Sequence, residues 1–243
     1  MERLLRVLRQ RDPDTPEKEL YARIVCGQIY VNGERVRDPA AAVERGAAIE
    51  YRRRRYVSRG GDKLHAALAE WRIPVAGKVF LDAGASSGGF TDCLLQHGAA
   101  RVIALDVGRG QLHWRLRQDQ RVTVIEGFNA RYLTPGDLPA QPEFATVDVS
   151  FISLRLILPP LAALLAPGAG LIALIKPQFE AGRGDVGHGG VVRDEAVRRR
   201  VVEEIRAFGT AKAGLLWQDC VASPLTGPKG NVEYLSWWRK GSN

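Results

Sequence analysis

Leu81-Asp82-Ala83-Gly84-Ala85-Ser86-Ser87-Gly88-Gly89-Phe90 is the stretch on which the reading of the fold turns. The apolar run Lys78-Val79-Phe80-Leu81 before it predicts a short buried strand, and Thr91 to His97 after it predicts a helix. Small residues fill the turn between them. Gly84, Gly88 and Gly89 let backbone approach a ligand closely, and the next helix would aim its first N–H groups at that ligand. This order of strand, glycine turn and helix predicts a nucleotide or nucleoside site. The spacing is G-x-x-x-G-G, which is not the dinucleotide fingerprint G-x-G-x-x-G.

Two carboxylates refine that reading. Asp82 ends the strand, and Asp106 ends the next apolar run, Arg101-Val102-Ile103-Ala104-Leu105. A carboxylate at such a strand end accepts hydrogen bonds from both hydroxyls of a ribose. The combination fits S-adenosylmethionine better than NAD. A different α/β nucleotide fold, or a plain tight turn, is the alternative.

Working outward, strands are predicted at 78–82, 101–106, 122–125, 144–149 and 171–176, with helices between them. That alternation indicates a mostly parallel, doubly wound α/β sheet. A helix opening at Gly60-Gly61-Asp62-Lys63-Leu64 precedes it, with Leu64, Ala67, Leu68 and Trp71 on one face. A glycine-rich loop (Gly182, Gly184, Gly187, Gly189, Gly190) leads to a helix from about Asp194 to Phe208, with Val197, Val201, Ile205 and Phe208 inward. Strands near 212–221 and 231–239 finish the chain. A terminal hairpin on a parallel sheet is how the Rossmann-like, seven-stranded class I methyltransferase fold ends. The loop at 181–190 reads equally as a mobile lid or a slack connector.

Leu156 to Ile175 is a run of 20 residues without a charge, close to membrane-spanning length. Pro159, Pro160, Pro167, Gly168 and Gly170 punctuate it, so the preferred reading is a buried helix, a Pro-Gly turn and a buried strand. No integral membrane association is expected.

The chain has 243 residues, room for one large and one small domain, and a formal net charge of +8. Residues 1–59 hold 14 Lys and Arg against 9 Asp and Glu, a surplus of five out of that eight. Such a basic balance calls for an acidic partner, with nucleic acid ahead of an anionic membrane. Cys26, Cys93 and Cys220 are odd in number, widely spaced and free of C-x-x-C pairing. Neither a disulfide framework nor a zinc knuckle is predicted, and a cytoplasmic location is the simplest home. No apolar targeting segment is read at the N-terminus.

Residues 1–51 read as a compact α+β unit. Leu4, Leu5, Val7 and Leu8 share one helical face, and Asp14-Thr15-Pro16-Glu17 signals a second helix that Gly27 stops. Gln28 to Val36 reads as strand, Asn32-Gly33 turn and strand, with a third strand at Ala48-Ile49-Glu50-Tyr51. On pattern alone, an RNA-binding module and a generic appendage are equally supported. Residues 52–59, opening with Arg52, Arg53, Arg54 and Arg55, read as a basic linker touching phosphate. The second domain is then 60–243.

Asp148 ends the fourth strand of the sheet and Lys176 the fifth. Adjacent strands lie roughly 5 Å apart, so these two groups would flank the same crevice as the glycine turn. A structural ion pair is the alternative, weakened because charge on apolar strands is costly without a task. Lys63 and Glu233, taken alone, read as surface charges.

Tyr30-Val31-Asn32-Gly33-Glu34-Arg35-Val36, after a helix ending at Gly27, resembles the ribosomal-S-four-type RNA-binding domain. That resemblance implies RNA contact by basic side chains such as Arg35 and Arg37. Further along, Ser58-Arg59-Gly60-Gly61-Asp62-Lys63-Leu64, the stretch from Asp82 to Asp92, Ala104-Leu105-Asp106-Val107-Gly108-Arg109-Gly110-Gln111, Asp148-Val149-Ser150-Phe151-Ile152-Ser153-Leu154, Ile175-Lys176-Pro177-Gln178-Phe179-Glu180 and Gly189-Gly190-Val191-Val192-Arg193-Asp194 resemble the TlyA family. The likeness covers almost the whole chain, with the motifs in order. It implies an FtsJ-like (RrmJ-like) 2′-O-methyltransferase acting on cytidines of ribosomal RNA, with S-adenosylmethionine as cofactor and ribosomal RNA or ribosomal subunits as partner. It implies a catalytic tetrad of Lys63, Asp148, Lys176 and Glu233. It implies cofactor contacts from Asp82, Gly84, Ser86, Ser87, Gly88, Gly89, Phe90, Asp106, Asn129 and Asp148, and RNA contact from Arg59. Ser87 stands where the family usually has Thr and keeps the hydroxyl; Glu126-Gly127-Phe128 before Asn129 is less typical.

The reaction so implied needs a poor nucleophile, a ribose hydroxyl, to lose its proton while aligned with an electrophilic methyl. Lys176 is the candidate base, Lys63 the second cation, and the two acids hold the two lysines. No metal is expected, because His65, His97, His113 and His188 show no ligand spacing.

Overall fold

The structure, a computed structural model, describes residues 1–51, 55–227 and 229–242. It divides into two compact units, 1–55 and 56–243. Arg52, Arg53 and Arg54, expected to touch phosphate, lie outside the described residues. The linker expected over 52–59 is shorter than its sequence suggested. Tyr56 is 2% exposed and packs in the core of the second unit, and Val57 N donates to Asp92 Oδ2 at 2.7 Å.

The first unit contains β1 (Glu2–Arg3), α1 (Leu4–Arg11), α2 (Glu17–Val25), β2 (Ile29–Val31), β3 (Glu34–Val36), β4 (Ala42–Val43) and β5 (Ile49–Tyr51). Leu4 and Leu8 from α1, Leu20 and Ile24 from α2, and Ile29, Val43 and Ile49 from the strands make its small core. Gly27 takes φ +66 after α2, a left-handed stop that glycine adopts without penalty. The Asn32-Gly33 turn pairs β2 with β3, and β5 pairs on the other edge of β2. Sequence missed β1 and β4, which pair with each other over two residues, too short for an alternation to show. Pro16 itself occupies the N-cap of α2, with no side-chain cap.

The second unit contains α3 (Arg59–Glu70), β6 (Val79–Ala83), α4 (Gly89–Gln96), β7 (Arg101–Asp106), α5 (Trp114–Arg117), β8 (Val122–Glu126), β9 (Phe144–Val147), α6 (Leu154–Leu164), β10 (Gly170–Ile175), α7 (Pro177–Glu180), α8 (Glu195–Ala213), β11 (Leu215–Ala222) and β12 (Tyr234–Lys240). The seven strands run in the order β11-β12-β10-β9-β6-β7-β8. β8, β7, β6, β9 and β10 are parallel, and β12 pairs antiparallel with β10 and β11.

Both faces of the sheet are covered, which is why its strands read as continuous apolar runs. Leu81, Ile103, Leu171 and Ile175 pack toward α6 and α8, while Phe80, Val102, Ile172 and Leu174 pack toward α3 and α4. The chain order reverses at β6, whose neighbours are β7 and β9. In an open α/β sheet that switch point is where a crevice forms beyond the strands' C-terminal ends.

Two details correct the sequence reading. Pro159 and Pro160 lie inside α6 and do not break it. An interior proline costs about 3 kcal/mol. Here Leu154, Ile157, Leu158, Leu161 and Leu164 bury the rest of the helix and outweigh that cost. Secondly, α8 runs on to Ala213, and Phe208 is only half-buried. The inward step after Val201 and Ile205 is Gly209, where an added Cβ would sit 2.6 Å from the Trp238 ring. The uncharged run at 156–175 thus becomes a helix and a strand. Among the described residues no helix is long and apolar enough to cross a membrane.

Candidate active site

The turn after β6 is shaped by three left-handed residues, Gly84, Ser86 and Gly88. Gly84 takes φ +87, and a Cβ there would lie 2.6 Å from the Asp148 carbonyl oxygen, so only glycine lets the turn close against the end of β9. Ser86 takes φ +49, and its N–H donates to Asp106 Oδ2 at 2.8 Å. Gly108 N–H donates to Asp106 Oδ1 at 2.6 Å. Asp106 is thereby fixed at the tip of β7, and each of its oxygens keeps a further lone pair.

A cleft of about 770 Å³ opens at this edge of the sheet. Of the expected cofactor residues, Gly84, Ser86, Asp106, Asn129 and Asp148 line it, together with Val107, Gln111, Phe128, Ser150 and Ile152. Asn129 also caps the following turn, its Oδ1 accepting from Arg131 N at 3.1 Å.

The others do not reach the wall. Asp82 has no exposed surface; its oxygens accept from Thr91 Oγ1 at 2.7 Å and Thr146 Oγ1 at 3.0 Å, and burial pushes its carboxyl up to about 7. It is a strut that ties β6 to α4 and β9, placed inward because side chains alternate along the strand. Gly88 packs against Leu112 and Leu116, and Gly89 against Ser58 and Gly61. Phe90 is 3% exposed in the core, and the Ser87 carbonyl accepts from His113 N at 3.2 Å. These four build the turn from behind.

Asp148 and Lys176 fall one residue beyond β9 and β10, on neighbouring strands. Lys176 Nζ lies 2.6 Å from Asp148 Oδ1 and donates to Ser150 Oγ at 2.8 Å. Lys63, on the buried face of α3, reaches Glu233, immediately before β12, with Nζ 2.5 Å from Oε2. Lys63 and Lys176 are each 8% exposed and Glu233 2%. Gln178 in α7, two residues past Lys176, joins the halves by donating from Nε2 to Glu233 Oε1 at 3.2 Å. Sequence reasoning quoted Gln178 and Ser150 but gave them no role; their spacing of two from Lys176 and Asp148 was the available signal.

Arg35 and Arg37 are exposed at the hairpin of the first unit, Arg35 donating to Tyr30 Oη at 2.9 and 2.7 Å. Arg55 is exposed as well. Arg59 is exposed at the first position of α3, and donates to the Thr226 carbonyl at 2.6 Å. Among the described residues no group of three or more His, Cys, Asp or Glu could hold a metal ion.

A switch-point cleft with a strand-end carboxylate and this strand order define a class I methyltransferase. The FtsJ-like methyltransferase family matches residues 56–240, and the chain belongs to it. It is 45% identical over 223 residues to the 16S/23S rRNA (cytidine-2′-O)-methyltransferase TlyA of Mycobacterium tuberculosis, covering 89% of this chain and 81% of that one. It is 43% identical over 215 residues to Hemolysin A of Brachyspira hyodysenteriae, covering 88% and 89%. A solved hemolysin-type chain from Streptococcus thermophilus superposes with TM-score 0.79 at 40% identity, over 100% of this chain and 89% of that one.

S-adenosylmethionine is the cofactor of this family, and the residues present fit it. The cleft volume suits a nucleoside-sized ligand. Asp106 offers acceptors for ribose hydroxyls, Phe128, Val107 and Ile152 offer apolar walls for a base, and Asp148 stands at the β9 end.

Proposed function

We propose that this protein is a 2′-O-methyltransferase of ribosomal RNA that modifies cytidine, with Lys63, Asp148, Lys176 and Glu233 as its catalytic centre. The observation that carries this reading is the Lys176–Asp148 pair at 2.6 Å, with Asp148 on the cleft wall.

When bound, S-adenosylmethionine supplies an electrophilic methyl on its sulfonium. The chain's own residues prepare the nucleophile. Lys176 Nζ, once its ammonium has released a proton to solvent, takes the proton from the ribose 2′-hydroxyl as the oxygen–methyl bond forms and the methyl–sulfur bond breaks, and Asp148 stabilises the ammonium that results, as the third member of a proton-transfer triad does. Ser150 orients Nζ. Lys63, held by Glu233, supplies the second positive charge of that centre. Lys176 occupies the N-cap of α7, with Pro177 fixing the first helical turn behind it, so its backbone is held while the side chain works.

The unit at 1–51, with Arg35 and Arg37 exposed on its hairpin, and the basic tract that follows are proposed as the RNA-binding module. Ribosomal RNA is an abundant polyanion that suits the net charge of +8, and a cytoplasmic site of action follows from that substrate. Mapping 2′-O-methyl positions on ribosomal RNA from cells with and without the gene tests the reading. A cytidine whose 2′-O-methyl disappears without the gene and returns with it is the expected result. An unchanged methylation map contradicts it.

A further inference from the structure

The residues 181–190, read from sequence as a mobile lid or a slack connector, belong to a segment anchored at both ends. The segment that contains them has both feet on one short piece of chain, residues 231–233. At its start, Gln178 Nε2 donates to Glu233 Oε1 at 3.2 Å. At its end, Asn231 makes two hydrogen bonds: Oδ1 accepts from Val192 N at 3.0 Å, and Nδ2 donates to the Gly190 carbonyl at 2.9 Å. Asn231 is 4% exposed; its bond from Val192 N is buried and its bond to Gly190 partly so. An Asn side chain offers one acceptor and one two-proton donor group, and this site uses both.

The same short piece carries Glu233, whose other oxygen holds Lys63 at 2.5 Å. Its backbone is pinned as well. Gly227 N donates to the Asn231 carbonyl at 2.9 Å, and Ser223 N to the Glu233 carbonyl at 2.8 Å. Gly227 leaves no room beside Glu233, since a Cβ there would lie 2.6 Å from Glu233 Oε1. Between the feet, Gly187 and Val191 form a bridge with N–H to O at 3.0 Å. The segment is therefore a strap, and Asn231 is its far buckle.

We infer that Asn231 is a positioning residue for methyl transfer: it fixes the strap to residues 231–233 and so sets Glu233 against Lys63. The inference rests on the proposed role of those two residues. A displacement of about 1 Å at a catalytic group, caused from outside it, costs on the order of 100-fold in rate. Asn231→Ala removes both strap bonds and is expected to lower kcat about 10- to 100-fold on ribosomal RNA. KM for S-adenosylmethionine stays within about 2-fold, because none of the cleft-lining residues belongs to the strap. Asn231→Asp keeps the acceptor for Val192 N and loses the donor to Gly190; it falls between the two.

The deciding experiment is a double-mutant cycle with Glu233→Gln, scored by kcat and by the pH dependence of kcat, with calorimetric S-adenosylmethionine binding as the check on folding. If Asn231 acts through Glu233, Asn231→Ala shifts the pH profile in the same direction as Glu233→Gln and adds almost nothing in the Glu233→Gln background. Wild-type turnover in Asn231→Ala overturns the inference. So does a full multiplicative loss in the double variant, or an unmoved pH profile. If Asn231→Ala fails to bind the cofactor, Asn231→Asp carries the same cycle with the same criteria. Wild-type protein without methyl transfer to ribosomal RNA would sink the proposed function itself, which is a different result.

Discussion

Lys176–Asp148 meets the cleft, while Lys63–Glu233 is sealed off its wall. Asp148 keeps 23% of its side chain exposed and shares its lysine with Ser150. Glu233 keeps 2% and is hemmed in by Gln178 and Gly227. The two pairs have the same chemistry and nearly the same length. Their surroundings suit the different work proposed for them: proton exchange with substrate for one, and holding a charge in place for the other. In a dry site, losing one partner leaves an ion without compensation, whereas a pair reached by water tolerates the loss better.

The largest expected effect is therefore on turnover and belongs to the open pair. Asp148→Asn should lower kcat about 10³- to 10⁴-fold, because an amide does not stabilise the ammonium formed on Lys176. Labelled methyl transfer to ribosomal RNA measures it. Glu233→Gln should lose less turnover and more stability. Stranding the buried Lys63 ammonium costs about 3–5 kcal/mol of unfolding free energy, against less for Asp148→Asn, where the equally buried Lys176 keeps its hydrogen bond to Ser150. Urea unfolding of the two variants side by side tests the contrast, and equal losses would erase it.

Asp106 sharpens the comparison from the cofactor side, since it touches neither pair. Asp106→Ala should weaken S-adenosylmethionine binding about 10- to 100-fold by calorimetry, with both ion pairs intact. The last is a slope with pH. Burial lifts the Asp82 carboxyl to about 7 in the folded protein, above its ordinary value near 3.9 when unfolded. Between those values the folded state binds more protons, so this group's stabilising contribution is complete below about pH 4 and is lost as the pH rises toward about 7. Its share of the decline is at most about 1.4 kcal/mol per pH unit. The wild-type minus Asp82→Asn difference in unfolding free energy should fall over that window; a flat difference would remove Asp82 as a buried titrating strut.

Much of this was legible in the chain because the sheet is buried on both faces. Phe80-Leu81, Val102 to Leu105 and Leu171 to Ile175 read as continuous apolar strands for that reason. Asp148 and Lys176 stood out as charges closing such runs. Lys63 and Glu233 did not, since 170 positions separate them and only tertiary packing of α3 against the β11–β12 connection brings them together. The resemblance to a known family supplied that pairing in advance. Part of the glycine turn's geometry was not legible in the sequence. Gly88 and Gly89 were read as letting backbone approach a ligand; their Cβ sides face Leu112, Leu116 and Ser58, a second reason for glycine at both positions. Composition shows that backbone comes close to something there, and does not show on which side. Likewise Asn231 carried no sequence signal, because its two partners are backbone atoms of a distant loop.

Nucleoside analysis of ribosomal RNA after incubation with S-adenosylmethionine and either wild-type protein or Lys176→Ala tests the central claim most directly. The wild type should yield 2′-O-methylcytidine and Lys176→Ala none, with cofactor affinity nearly unchanged. Wild-type yield from Lys176→Ala, or a methyl found on the base instead of the ribose, would contradict it.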